Sequence, residues 1–149
     1  MREGFTKTVR HTLAMAQREA RTHNQEFVGT EHLFLGTIHC QECEAERILQ
    51  QQHLSPNQLR SAVLRDLPMG ADAPVVVGDL PLSPKAQRVI NGAIVKAQAL
   101  REEKISTRFM LLSLLDDPQT VVREAIAVNG GDINVLRQAL VETPDEEEE

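Results

Sequence analysis

Aromatic residues are scarce in this chain of 149 residues: they make up 3%, and Trp and Tyr are absent. Strands favour aromatic and β-branched side chains, so the shortage points away from a sheet and toward helices packed through Leu, Ile, Val, Ala and Met. Cysteine is almost as rare. With only Cys40 and Cys43, and no apolar signal segment behind Met1-Arg2-Glu3-Gly4, a reducing cytoplasm is the expected compartment. No apolar run approaches the roughly 20 residues of a membrane span, which excludes that partner. Basic residues are not in excess either. The formal net charge is −6, and five of the negative charges fall in Asp145 to Glu149, which leaves the body close to neutral. Nucleic-acid binding needs a clustered basic face to displace counterions, and none is visible. No Gly-x-x-x-x-Gly-Lys-Ser/Thr phosphate loop occurs, so neither a nucleotide nor any other cofactor is expected.

What is present is one pattern used twice. The length suits a single domain or two small lobes sharing a core. Phe5-Thr6 and Leu82-Ser83 open two segments that align without a gap at an offset of 77 residues. Leu13 falls on Ile90, Ala16 on Ala93, Ala20 on Ala97, Val28 on Ile105, Leu33 on Met110, Leu49 on Ile126 and Leu59 on Leu136. Most matched positions are apolar and recur at helical spacing.

In the first copy, Thr6 is a natural N-cap for a helix carrying Val9, Leu13, Ala16 and Ala20. A second helix is predicted from about Thr30 and Glu31, with Thr30 as cap, a third from Glu44 to Gln52, and a fourth after Ser55-Pro56. The second copy predicts helices near Pro84–Glu103, Thr107–Leu115, Gln119–Asn129 and Ile133–Val141. The expectation is an all-α fold of about eight helices: two tandem pseudo-symmetric four-helix repeats, 2–67 and 82–142, within one domain, 2–142. Residues 68–81 read as an irregular linker, including Val75-Val76-Val77, and the acidic tail 143–149 as disordered.

Beyond periodicity, Phe5-Thr6, Leu13-Ala14-Met15-Ala16, Glu19-Ala20 and above all Phe27-Val28-Gly29-Thr30-Glu31-His32-Leu33-Phe34-Leu35-Gly36 resemble the N-terminal domain of Clp-type AAA+ unfoldases, particularly the ClpC group. The doubled form, the double Clp-N motif, spans about residues 2–142. The second copy matches less well, since Ile105-Ser106-Thr107-Arg108-Phe109-Met110 replaces the Gly, Glu and His. The resemblance implies a non-catalytic docking domain in protein quality control, whose partner is a Clp ATPase, an adaptor or a tagged substrate protein. An accessory subunit that regulates a Clp protease or unfoldase without reading a tag is the alternative. The acidic ending after Val141 favours a free-standing protein over a fragment of an unfoldase.

The same resemblance makes Thr30 and Glu31 the candidate ligand-binding residues: the family's Glu at this place helps bind phosphoarginine, and a carboxylate suits the planar fork of a guanidinium. The plain reading of both is stabilisation of a helix start. Arg108 stands at the matching place in the second copy, where it would repel a guanidinium; one site at most is expected, and Arg108 itself reads as a solvated helix residue. His32 reads as structural, packed between helices with one nitrogen hydrogen-bonded. Phe5, Phe27, Leu82 and Arg108 are candidates for a partner groove between the copies, with core packing the stronger reading for the apolar three. His39, Cys40 and Cys43 hold a C-x-x-C spacing suited to zinc, but the second pair of ligands is not evident, so no metal is assigned. A redox dithiol has the same three residues to use, without the βαβ pattern that would support it. A zinc or redox protein is thus the alternative of another class.

Overall fold

A computed structural model describes residues 4–117 and 121–142. Among these, eight helices account for the regular structure: α1 Lys7–Thr22, α2 Thr30–His39, α3 Glu44–Gln51, α4 Pro56–Arg65, α5 Pro84–Ala99, α6 Thr107–Asp116, α7 Val121–Val128 and α8 Ile133–Glu142. Every start and every end in the second set lies 77 residues beyond its counterpart in the first. The expected start of the seventh helix at Gln119 and the acidic tail fall outside the described residues. None of the eight helices is long and apolar enough to cross a membrane.

Local chemistry explains the boundaries. The Thr6 hydroxyl accepts from the amide of Val9, Ser55 does the same for Gln58, and Ser83 for Ala86. Proline then occupies the first position of α4 and α5, where its missing N–H costs nothing. Two expectations shift. The cap of α2 is Gly29, and Thr30 is the first helical residue. The fifth helix ends at Ala99 instead of Glu103, because Arg101 adopts a left-handed conformation (φ 58°) that no helix continues through. Asn24, 77 residues earlier, does the same after α1 (φ 54°).

Helices α2 and α6 form the centre. From Thr107 to Leu115 every residue of α6 is buried, and in α2 only Glu31 and His39 escape burial. A helix apolar around its whole circumference must be surrounded, and the remaining helices do this, each with a single buried stripe. Phe34, Phe109 and Met110 are fully enclosed, while Met15 is only half-buried.

The closest crossings show how the two copies diverged. Gly36 on α2 lies so near α1 that a Cβ there would stand 2.3 Å from the carbonyl oxygen of Thr12. At the matching crossing Ser113 replaces the glycine, and its hydroxyl donates to the carbonyl of Val89, the counterpart of Thr12, at 2.6 Å. Room for that hydroxyl comes from Gly92 on the opposite helix, where a Cβ would stand 2.4 Å from Ser113 Oγ. The small residue has changed sides.

The linker carries no strand, in keeping with its composition, yet it is tied down along the polar face of α1. Gln17 exchanges both amide hydrogen bonds with the backbone of Leu80 (3.0 and 2.7 Å), and Arg21 donates to the carbonyls of Val76 and Gly78. Just beyond the helix, Asn24 and Gln25 donate to the carbonyls of Gly70 and Pro68. The side chains of Val75 and Val77 nevertheless stand almost fully in solvent.

Gly36→Ala should destabilise the fold by about 1–3 kcal/mol, the usual cost of overpacking. Chemical denaturation checks it, and a stability equal to the unsubstituted chain would contradict the close crossing.

Candidate functional site in the cleft between the repeats

Two short backbone pairings stitch the halves together. Ile105 N–H donates to the Gly4 carbonyl (2.7 Å) and Thr6 N–H to the Ile105 carbonyl (3.2 Å), which sets Phe5 beside Ile105 in parallel. Val28 N–H donates to the Pro81 carbonyl (2.9 Å) and Ser83 N–H to the Val28 carbonyl (2.9 Å), which sets Leu82 beside Val28. A displacement of 77 residues maps one pairing onto the other. The segment leading into each repeat is therefore bonded to the first interhelical loop of the other repeat.

Between the two stitches lies an apolar cavity of about 120 Å³, walled chiefly by Phe5, Leu13, Val28, Leu33, Leu82 and Ile90. Gln17 and Leu80, locked together, close one side. Of the four candidate groove residues, the structure brings Phe5 and Leu82 to this cavity. Phe27, just before Val28, does not line it and leaves 52% of its surface in solvent.

Arg108 is elsewhere altogether. At 2% exposure it is among the most buried side chains, and the solvated position expected of it is incorrect. Its Nε faces Glu44 Oε2 at 3.5 Å, its Nη1 donates to the Leu140 carbonyl at 2.9 Å, and its Nη2 meets Glu102 at 3.4 Å. The guanidinium also stacks on Phe109, 4.4 Å from the ring centre. Glu44, itself fully buried at the start of α3, accepts from Ser106 Oγ at 2.7 Å, and the amide of Ala45 donates to Thr107 Oγ1 at 3.1 Å. The first turn of α3 is thereby docked on the first turn of α6. Sequence reasoning missed Glu44, since an acidic residue at a helix start looks complete as a partner for the dipole.

At the start of α2, Gly29 N–H donates to His32 Nδ1 at 2.9 Å. Histidine thus does the work that Glu or Gln does in a capping box. Thr30 is buried, and Glu31 keeps 30% of its side chain exposed. The Glu31 carboxylate folds back over Gly29, where a Cβ would come within 2.4 Å of Oε1, and it approaches His32 Nδ1 at 3.6 Å. Burial holds the His32 pKa below its ordinary value, with Glu31 opposing the shift.

Cys40 caps the end of α2, Cys43 caps the start of α3, and their sulfurs are bonded. No metal was assigned to this pair; the disulfide departs from the reduced thiols expected of a reducing compartment, and it leaves neither sulfur as a thiolate for the zinc alternative. His39 remains exposed beside them. Among the described residues no group of three or more metal-binding side chains occurs.

Comparison with known proteins gives this geometry a context. The family model described as the Clp repeat (R) N-terminal domain matches residues 4–108 and 82–148. The ATP-dependent Clp protease ATP-binding subunit ClpA homolog of Trieres chinensis is 28% identical over 149 residues, all of this chain but 17% of that relative. The Hsp104 N-terminal domain of Candida albicans superposes with a TM-score of 0.78 at 17% identity, covering 94% of this chain and 91% of that one. A ClpV N-domain in complex with VipB peptide gives a TM-score of 0.71 at 13% identity, covering 93% and 86%.

Because unfolded His32 titrates near its ordinary pKa of about 6.5 while the folded ring resists protonation, stability should fall as pH drops through that value toward the lowered pKa. Melting curves between neutral and mildly acidic pH, compared with His32→Asn, which keeps an acceptor for Gly29, should show the slope reduced in the variant. Removing one member of the buried pair, by Arg108→Met or Glu44→Gln, should cost about 3–5 kcal/mol. The double variant should lose less than the sum of the two, which a double-mutant cycle would measure.

Proposed function

The chain belongs to the Clp repeat N-terminal domain family, and from that premise we propose that it is a non-catalytic docking module that binds a protein partner or substrate at the cleft between its repeats. The observation carrying this reading is the apolar cavity at the double stitch, where Phe5 and Leu82, a residue pair related by the repeat, meet Val28. Rigid backbone bonds hold the rim while the lining is apolar, and such a site captures an apolar anchor from a peptide or helix. A ClpV N-domain of the same fold is known in complex with a VipB peptide, which supports peptide binding by a domain of this fold. The chain spans 17% of the Clp subunit homolog it matches, so that protein's ATP-driven activity is no part of the proposal.

Phosphoarginine reading is the finer part of the proposal, and it is restricted to one site. Glu31 is partly exposed, and its carboxylate can pair with a guanidinium. The equivalent Arg108 is committed to Glu44 and the Leu140 carbonyl inside the protein, so the matching place in the other repeat offers a cation in place of the carboxylate, turned inward.

Two peptides of one sequence, with and without a phosphoarginine, titrated by calorimetry separate the parts. Leu82→Ala should weaken both by about tenfold, equivalent to about 1.4 kcal/mol. Glu31→Ala should weaken only the phosphorylated one. Unchanged affinity in Leu82→Ala removes the cleft from the proposal, and equal losses for both peptides in Glu31→Ala remove the tag.

A further inference from the structure

The geometry points to a thiol–disulfide exchange site at Cys40–Cys43, opening onto a cationic cavity that takes an anionic thiol of small-peptide size. Both sulfurs sit in nearly buried residues, at 4% and 2% exposure, but they are not equivalent. Cys40 lines a solvent-open cavity of about 570 Å³, within the roughly 300–1,000 Å³ of small-ligand sites, and Cys43 does not. Lys7, Thr8 and His11 from the first turns of α1 form one wall of that cavity, and His39 and Gln41 flank Cys40 on the other. Among the described residues no acidic side chain lines it, and the ammonium of Lys7 with the two imidazoles favours a thiol that brings carboxylates. The matching cavity in the second repeat is lined by Lys85, Arg88, Ser113, Asp116 and Asp117, so aspartates stand where His39 and Cys40 stand here. The dithiol chemistry is confined to the first repeat.

The direction of exchange follows from the placement. An incoming thiolate reaches Cys40 Sγ through the cavity and forms a mixed disulfide there. The Cys40–Cys43 bond breaks, and its electron pair leaves with Cys43, which takes a proton from water. Cys43 is the N-cap of α3, where the amide ends of the helix stabilise a departing thiolate, and Arg108 offsets the charge of the adjacent Glu44. A second molecule of the thiol attacks the mixed disulfide, releases the external disulfide and leaves Cys40 reduced. Overall, one protein disulfide and two thiols become one protein dithiol and one external disulfide.

Glutathione is the probe that tests this. Equilibrated against mixtures of its thiol and disulfide and quenched with an alkylating agent, the intact chain should pass between disulfide and dithiol in one two-electron step. Oxidised glutathione should label Cys40 in Cys43→Ser about tenfold faster than Cys43 in Cys40→Ser, given the difference in access. Should either variant fail to fold, the charge arm stands alone. In the otherwise native chain, reduction by glutathione should slow several-fold in Lys7→Glu/His11→Glu, while reduction by uncharged mercaptoethanol should not. A pair that stays in one state across the whole series, or charge reversal that slows both reductants equally, overturns the proposal.

Discussion

The structure depends on a reciprocal exchange of backbone hydrogen bonds. Val28 and Ile105 each sit in a loop whose amide and carbonyl would be left unpaired by its own repeat. Buried backbone groups without partners are costly, and each loop finds its partners only in the segment that leads into the other repeat. Neither set of four helices is chemically closed on its own. The apolar cleft follows from the same constraint, because the residues between the bonding atoms, Phe5 and Leu82, are both brought to its lining by the seam that needs them.

A second, asymmetric bond reinforces the seam. Taking Arg108 and Glu44 out of water costs more than their attraction alone returns, unless further hydrogen bonds complete the set. Here Ser106, Glu102 and the Leu140 carbonyl supply most of them and Phe109 covers the guanidinium face, while Arg108 Nε, 3.5 Å from Glu44, pairs with it by charge alone. The start of α2 and the start of α6 have consequently taken different work. One presents a carboxylate near solvent; the other turns a cation inward to hold α3 and α8.

Much of this was legible in the residues. The apolar spacing and the 77-residue offset fix eight helices, and the Thr6, Ser55-Pro56 and Ser83-Pro84 signals locate three of their starts. The resemblance in Gly29-Thr30-Glu31-His32 leads to the family, although the capping role within it belongs to Gly29 and His32. What was not legible depends on contacts far apart in the chain. Nothing local marks Glu44 as the partner of a residue 64 positions later. Gln17, Arg21, Asn24 and Gln25 carry no local signal of their role, since their partners are backbone atoms of a linker with no pattern of its own. The joined sulfurs of Cys40 and Cys43 likewise follow from how α2 ends and α3 begins, which spacing does not specify.

The migrated glycine makes the duplicated helices non-interchangeable. Were α1 to meet α6, Met15 would stand where Gly92 makes room for the Ser113 hydroxyl, and the two would collide. Were α5 to meet α2, glycine would face glycine and leave a void. Each long helix is thus keyed to its own neighbour, so a chain that repeats itself at every turn still has only one way to sort its parts while folding.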